Sequence, residues 1–132
     1  MDAQEYVAAC RQYLGVPFCH QGRSHRGVDC VGLLVCAARD LGIAVTDTLN
    51  YLHDPDAGVL YKTLSANGLI AIPRKDIRTG DLMLIRWRTE RPRHLAVRTD
   101  IGLIHAFSQL RKVVESSIPD DMQIIRGYRW QG

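Results

Sequence analysis

One of the four cysteines, Cys30, stands where a thiol can act as a nucleophile. It follows Asp29 in the segment GVDCVGLLVCAARDLG, at the start of an apolar run with helical spacing. The first N–H groups of a helix have no partner within the helix and carry partial positive charge, which favours a thiolate. The same groups can bind the oxyanion of an acyl intermediate. The alternative is a packing cysteine, because free thiols are usually buried.

The remaining cysteines are weaker candidates for chemistry. Cys10 and Cys36 fall on apolar helix faces and are expected to pack in the core, whereas the role of Cys19, in a polar loop, stays open. No C-x-x-C pair occurs, and the opening MDAQEYVAAC lacks the basic and apolar regions of a secretory signal. These features predict reduced thiols and synthesis in a cytoplasm.

A nucleophilic thiol needs a general base, and His94 and His105 are the candidates. They lie in the consecutive strand-like runs HLAVRT and LIHAF. A loop of two residues (99–100) or four (99–102) is expected to set the two imidazoles directly opposite each other, whereas a three-residue loop places them on opposite faces. The alternative is a pair of ordinary strand histidines bonded to backbone groups.

The loop PFCHQGRSHRGVDC contains cysteines and histidines that could in principle form a metal site. Cys19, His20, His25 and Cys30 are zinc-ligand types, but their spacing matches no common zinc site. We therefore expect neither a metal nor a cofactor. His53, in YLHDPD, is expected at the surface where a helix starts.

A basic run surrounds Trp87 and consists of Arg86, Arg88, Arg91 and Arg93. It is open to two interpretations, a nucleic-acid surface or the solvated face of a strand and its hairpin, and the alternating spacing favours the second. The net charge of +3 is small for a nucleic-acid binder, so no nucleic-acid partner is expected. No apolar run approaches the roughly 18 residues of a membrane span, so no membrane insertion is expected.

The sequence pattern predicts helices in the first half of the chain and strands in the second half. Helical spacing predicts helices over residues 2–15, with Asp2 as the cap, over 29–42, with Asp29 as the cap, and over about 54–66. From about residue 81 the pattern becomes short β-rich runs separated by turn signals. Helices followed by strands predict an α+β fold with the N-terminal helices packed on an antiparallel sheet. The length of 132 residues and 46% hydrophobic content suit a single domain over 1–132.

Four ordered motifs resemble those of the NlpC-type cysteine peptidases, papain-like hydrolases that cut cell-wall peptides. GVDCVG resembles the family's DCSG box with Val31 in place of serine, TGDLMLI its GDL strand start, HLAV its histidine strand and LIHA its third catalytic segment. The resemblance spans roughly residues 5–128 and implies a papain-like fold. It also implies that Cys30 is the nucleophile, His94 the base and acid, and His105 the group that orients His94.

The resemblance also implies a substrate-binding loop. The family usually carries a tyrosine in a Y-G-G loop ahead of the cysteine, where this chain has PFCHQGR. His20 or Gln21 is therefore expected to help bind the oxyanion. Arg23 and Arg26, next to the nucleophile, are expected to pair with carboxylates of the substrate peptide.

The segment HQGR…GVDCVGLL is most similar to the sequences of the phage-tail branch of the family. This implies a peptidase of peptidoglycan stem peptides, acting on the bond between D-glutamate and the diamino acid, with tail-tip or hub proteins as partners. Such a protein is expected to be made in the host cytoplasm without a signal peptide and carried in the virion tail to the cell wall or periplasm. The alternatives are an inactive structural or assembly protein of the tail with the same fold, and a hydrolase or transferase of other acyl groups.

Overall fold

The computed structural model describes residues 1–47, 51 and 57–131. Its described helices are α1 (Ala3–Arg11), α2 (Cys30–Asp40) and α3 (Ala57–Ala66), with short 3₁₀ turns at Arg74–Asp76 and Ser108–Leu110. Its described strands are β1 (Arg23–Ser24), β2 (Gly27–Val28), β3 (Ile70–Ile72), β4 (Leu82–Trp87), β5 (His94–Arg98), β6 (Leu103–Phe107), β7 (Lys112–Ser116) and β8 (Met122–Arg129). Of the helices in these ranges, none has the length and apolarity that a membrane crossing requires.

The first two helices begin at the predicted caps. The Asp2 carboxylate accepts the N–H of Gln4 at 2.7 Å, which satisfies one of the donors that a helix start leaves open. α1 ends at Arg11, earlier than predicted, and the chain turns before it reaches Gly15, whose φ of +83° suits glycine. α2 ends at Asp40, just before Gly42, where φ is +79°.

The third helix is confirmed over residues 57–66. α3 ends at Ala66, as the pattern predicts, and Gly68 follows with φ +69°. The predicted start near residue 54 and the predicted surface position of His53 lie outside the described residues.

Six of the described strands form one antiparallel sheet in the order β3-β8-β4-β5-β6-β7. The short β-rich runs predicted from the sequence, DLMLIRWR, HLAVRT, LIHAF, KVVES and QIIRGYRW, supply β4 to β8. β3 and the small hairpin β1–β2 were not predicted, because strands of two or three residues are too short to show a period of two. The antiparallel α+β prediction is confirmed.

The helices pack on one face of this sheet. Tyr6 of α1, Leu33 of α2 and Leu60 of α3 are fully buried in one cluster that also contains Leu84 and Ile104 of the sheet. A second cluster on the other face consists of Met83, Ile85, Ala96, Leu103 and Met122, with loop residues such as Ile77 and Ile118 against it. Both faces of the central strands are therefore buried, which fixes their positions.

The length of the turn between β5 and β6 determines the relative positions of His94 and His105 across the two strands. The turn has four residues, 99–102, and Arg98 pairs with Leu103. Continuing that register places His105 opposite Ala96, so His94 and His105 are diagonal neighbours on one face. The expectation that a four-residue loop sets them directly opposite each other is wrong, because two added loop residues shift the register by two. The shift preserves the shared face, since side chains alternate with a period of two.

Candidate active site

Cys30 is the first residue of α2 and is 4% exposed. Asp29 precedes it in extended conformation, and its Oδ1 accepts the N–H of Gly32 at 2.8 Å. The thiol therefore lies at the positive end of a helix, beside first-turn N–H groups that have no acceptor within the helix. The structure thus places Cys30 where the sequence predicts it.

The carboxylate of Asp29 also anchors the loop around Cys30. It accepts the N–H of Gln21 at 2.9 Å, a guanidinium N–H of Arg23 at 2.9 Å and the phenol O–H of Tyr51. With the N–H of Gly32, four donors converge on a side chain that is 2% exposed. A buried carboxylate with every acceptor used is held firmly, and so is the entry into α2.

Arg23 braces this network. Its Nε donates to Asp47 at 2.7 Å, its Nη1 to Asp29 at 2.9 Å, and its Nη2 to the hydroxyl of Tyr51 at 2.9 Å. All three guanidinium nitrogens thus donate to groups of the protein, which gives Arg23 a positioning role, and its pairing with a substrate carboxylate stays a prediction. Asp47 and Tyr51 were missed because they lie 17 and 21 positions beyond Cys30 in the sequence and no local pattern marks them.

Close packing explains why the last residue of the DCVG motif, Gly32, is a glycine. A Cβ there would lie 2.0 Å from the carbonyl oxygen of Gly22 and 2.9 Å from Nη1 of Arg23. The loop that binds Asp29 therefore approaches α2 so closely that a side chain has no room.

His94 and His105 are buried and bonded to each other. Nε2 of His94 lies 2.7 Å from Nδ1 of His105, with the ring centroids 4.9 Å apart and the rings inclined by 68°. Exposure is 6% for His94 and 1% for His105. This bond uses Nε2 of His94, and Nδ1 is therefore the ring nitrogen that remains for chemistry with another group.

Burial sets the charge state of both imidazoles. It lowers the pKa of His94 well below its usual range, and the charges of His105 and Arg93 lower it further. Burial also lowers the pKa of His105 to about 4. Both rings are therefore neutral near pH 7, and a neutral imidazole is the form that accepts a proton from a thiol.

Cys30 and His94 both line one cavity. Trp87 ends β4, His94 begins β5 and Phe107 ends β6, so these residues lie at the same end of the sheet, next to the start of α2. The described side chains lining the cavity include Phe18, Asp29, Cys30, Trp87, Arg93, His94, Phe107, Ser108 and Gln109. His105 lies behind His94, outside this lining set, which suits a group that orients the ring.

Aromatic side chains enclose the imidazole pair. The ring of Trp87 lies 5.0 Å from that of His94, and Phe107 stacks on His105 at 4.8 Å. These contacts limit rotation of both imidazoles. Sequence analysis missed the two aromatic residues and the polar pair Ser108 and Gln109, although all four adjoin the ends of predicted strands.

The two residues predicted to help bind the oxyanion, His20 and Gln21, lie in the loop but outside the described lining of the cavity. His20 is exposed, with its ring 5.4 Å from that of Tyr51, and the side-chain amide of Gln21 donates to the carbonyl of Tyr51 at 2.7 Å. Their role at the oxyanion therefore stays a prediction. Arg26 is exposed in the β1–β2 turn, where its backbone N–H donates to the hydroxyl of Ser24.

The other thiols and the loop histidine have ordinary structural positions. Cys10 and Cys36 are buried, as predicted, and burial raises the pKa of Cys10 to about 12. Cys19 is exposed, and His25 stacks on Tyr13 at 4.1 Å. In the described ranges, no three His, Cys, Asp or Glu side chains are grouped so as to hold a metal ion.

The comparisons with known proteins cover most of the chain. The family model described as NlpC/P60 family matches residues 15–124. No curated protein matches the chain. Among solved structures, the NlpC/p60 domain of the peptidoglycan hydrolase SagA has a TM-score of 0.66 at 18% identity, covering 94% of this chain and 97% of that one.

Two further solved structures extend the comparison. NlpC2 from Trichomonas vaginalis has a TM-score of 0.72 at 20% identity and covers 97% of this chain, which spans 46% of NlpC2. RipD from Mycobacterium tuberculosis, described as a non-catalytic NlpC/p60 domain protein adapted to peptidoglycan binding, has a TM-score of 0.65 at 19% identity, covering 96% of this chain and 95% of RipD. At these identities the likeness establishes a shared fold.

Proposed function

The chain belongs to the NlpC/P60 family, and we propose that it is a cysteine peptidase that hydrolyses amide bonds in peptidoglycan stem peptides. One observation carries the proposal: the thiol of Cys30, at the positive end of α2, shares a cavity with His94, whose ring is bonded to His105. This is the set that nucleophilic acyl transfer requires, namely a nucleophile, a base and a group that orients the base.

The first half of the reaction follows from the tautomers. If Nε2 of His94 donates its proton to Nδ1 of His105, Nδ1 of His94 is free of a proton and can take one from the thiol of Cys30. The sulfur then forms a bond to the substrate carbonyl carbon, and the C=O electron pair moves onto oxygen. The backbone N–H of Cys30, in the first turn of α2, stabilises that oxyanion.

The second half returns the proton. The imidazolium of His94 protonates the leaving amine as the carbon–nitrogen bond breaks, which leaves a thioester on Cys30. His94 then accepts a proton from water, the hydroxide attacks the thioester, and the carboxylate product departs while the thiol is restored. His105 holds the imidazole in one orientation through both halves.

The substrate proposal has support from the relatives. SagA is named a peptidoglycan hydrolase and RipD a protein adapted to peptidoglycan binding. We propose the bond between D-glutamate and the diamino acid, which the family resemblance implies.

We also propose that the protein resides in a phage tail tip, has hub or tip proteins as partners and acts at the cell wall. This part of the proposal rests on the sequence segment HQGR…GVDCVGLL. Mass spectrometry of purified virions tests it. Absence of the protein from tails of a phage that encodes it would contradict the tail assignment and leave the peptidase proposal intact.

Digestion of purified peptidoglycan tests the activity directly. Wild-type protein is expected to release muropeptides with a newly exposed amine on the diamino acid, detected by mass spectrometry. Cys30→Ala is expected to release none. Cleavage by Cys30→Ala at the wild-type rate would overturn the mechanism.

A second candidate is a non-catalytic protein that binds the cell wall or builds the tail, and the likeness to RipD favours it. The two candidates differ in the reactivity of Cys30. Slow alkylation of Cys30 at neutral pH, together with binding to peptidoglycan without turnover, would establish the second. The neutral imidazole pair beside Cys30 favours the first.

A further inference from the structure

Two charged side chains that line the cavity differ in how firmly they are bound by other groups of the protein. Among the described residues that line it, Asp29 and Arg93 carry charged side chains. Four donors, including Arg23, already occupy the carboxylate of Asp29. Arg93 pairs with Glu90 at 3.1 Å, but the two side chains are 38% and 54% exposed. An exposed pair of this kind contributes little to stability, so the contact with Glu90 does not by itself prevent Arg93 from binding a substrate carboxylate.

Arg93 is held in a defined place beside the base. Its guanidinium lies over the indole of Trp87, 5.4 Å from the ring centroid, and that indole lies 5.0 Å from the ring of His94. The backbone N–H of Arg93 donates to the carbonyl of Ile85 at 3.2 Å, which ties this end of the hairpin to β4. The cation therefore lies on the imidazole side of the cavity.

The imidazole side is where the leaving amine must be, because His94 protonates it. A guanidinium there can form two parallel hydrogen bonds to a carboxylate of the residue that supplies the amine. We propose that Arg93 binds a side-chain carboxylate of that residue and so selects diaminopimelate over lysine at this position. This inference rests on the proposed peptidase function.

The two diamino acids differ at the end of their side chains. Lysine and diaminopimelate both carry an ammonium group there, but only diaminopimelate carries a carboxylate on the same carbon. Arg93 can therefore form charge-assisted hydrogen bonds with diaminopimelate that lysine cannot accept. The ammonium of lysine is left next to the guanidinium without this compensation, which disfavours lysine.

Matched peptides test the specificity. Wild-type protein is expected to cleave a γ-D-glutamyl–diaminopimelate peptide with a kcat/KM at least about tenfold above that for the lysine analogue. Arg93→Gln is expected to remove the preference, and Arg93→Lys to retain part of it. Arg91→Gln, which changes an exposed arginine of the same hairpin outside the described lining, is the control and should keep the wild-type ratio.

Binding separates this inference from the proposed function. Calorimetry with Cys30→Ala and Cys30→Ala/Arg93→Gln measures the affinity for both peptides without turnover. Tighter binding of the diaminopimelate peptide that disappears with Arg93→Gln supports the carboxylate site, even if the wild-type protein cleaves neither peptide and the peptidase proposal fails. Equal binding of the two peptides, or no binding of either, overturns the carboxylate site, even if the enzyme is active.

Discussion

Nε2 of His94 lies 2.7 Å from Nδ1 of His105, although the two residues are diagonal neighbours across β5 and β6. The bond has a chemical consequence because a neutral His105 can accept at Nδ1, whereas a protonated one cannot. Only acceptance by His105 leaves Nδ1 of His94 without a proton. The burial that keeps His105 neutral thus permits the tautomer in which His94 is a base toward Cys30.

Removal of this acceptor should lower turnover more than substrate binding. His105→Ala is expected to reduce kcat by on the order of 10²-fold with little change in KM, since His105 lies behind the base and outside the cavity lining. His105→Asn keeps an acceptor oxygen and should lose less. Steady-state kinetics on a stem peptide measures both variants, and an unchanged kcat in His105→Ala would contradict the orienting role.

The buried histidines should make stability depend on pH. Their pKa values are lower in the folded than in the unfolded state, where the usual value is 6.5, so the unfolded chain binds more protons between that value and about 4. The stabilising contribution is complete above pH 6.5 and is lost as the pH falls toward 4. Urea unfolding between pH 7.5 and 4.5 should show this decline.

A variant pair isolates the histidine contribution. His105→Asn is expected to flatten the decline in unfolding free energy between pH 6.5 and 4.5, because it removes one of the buried proton acceptors. His20→Gln alters an exposed histidine and should follow the wild-type curve. Identical pH dependence in His105→Asn and wild-type protein would argue against a buried neutral His105.

The four thiols should differ in their rate of alkylation. Cys30 is expected to react fastest with iodoacetamide at pH 6–7, because the helix terminus favours its thiolate and neutral His94 can accept the proton of the thiol. Burial raises the pKa of Cys10 and of Cys36, which should protect them in the folded protein. Peptide mass spectrometry after timed labelling measures each site. Cys19→Ser removes the exposed thiol as background, and His94→Ala should slow labelling of Cys30.

Two tyrosines provide a matched test of the Asp29 network. Tyr51→Phe removes a donor to Asp29 and an acceptor for Arg23, and should cost roughly 1–3 kcal/mol of unfolding free energy and also lower kcat. Tyr13→Phe removes a similar bond, 2.7 Å long, to Asp40 at the far end of α2. It should lower stability without changing kcat. Equal effects of both substitutions on kcat would show that Tyr51 has no special role at the site.

The local features of the fold could be predicted because they depend on neighbours in the chain. A helix cap needs an acceptor two or three residues from its donor, so Asp2 and Asp29 were recognisable in the sequence. Alternation within each run likewise determines which residues share a face of a strand. These two signals yielded the position of Cys30 and the antiparallel sheet, whereas the common face of His94 and His105 depended on the length of the turn between them.

The sequence by itself therefore determined which side chains are the candidates for chemistry and what kind of element carries each. Only the tertiary structure decided the diagonal register of His94 and His105, the engagement of Arg23 with Asp47 and Tyr51, and the position of Arg93 over Trp87. The physical reason is that periodicity encodes the direction of a side chain, whereas partner and register are selected by packing between segments far apart in the chain.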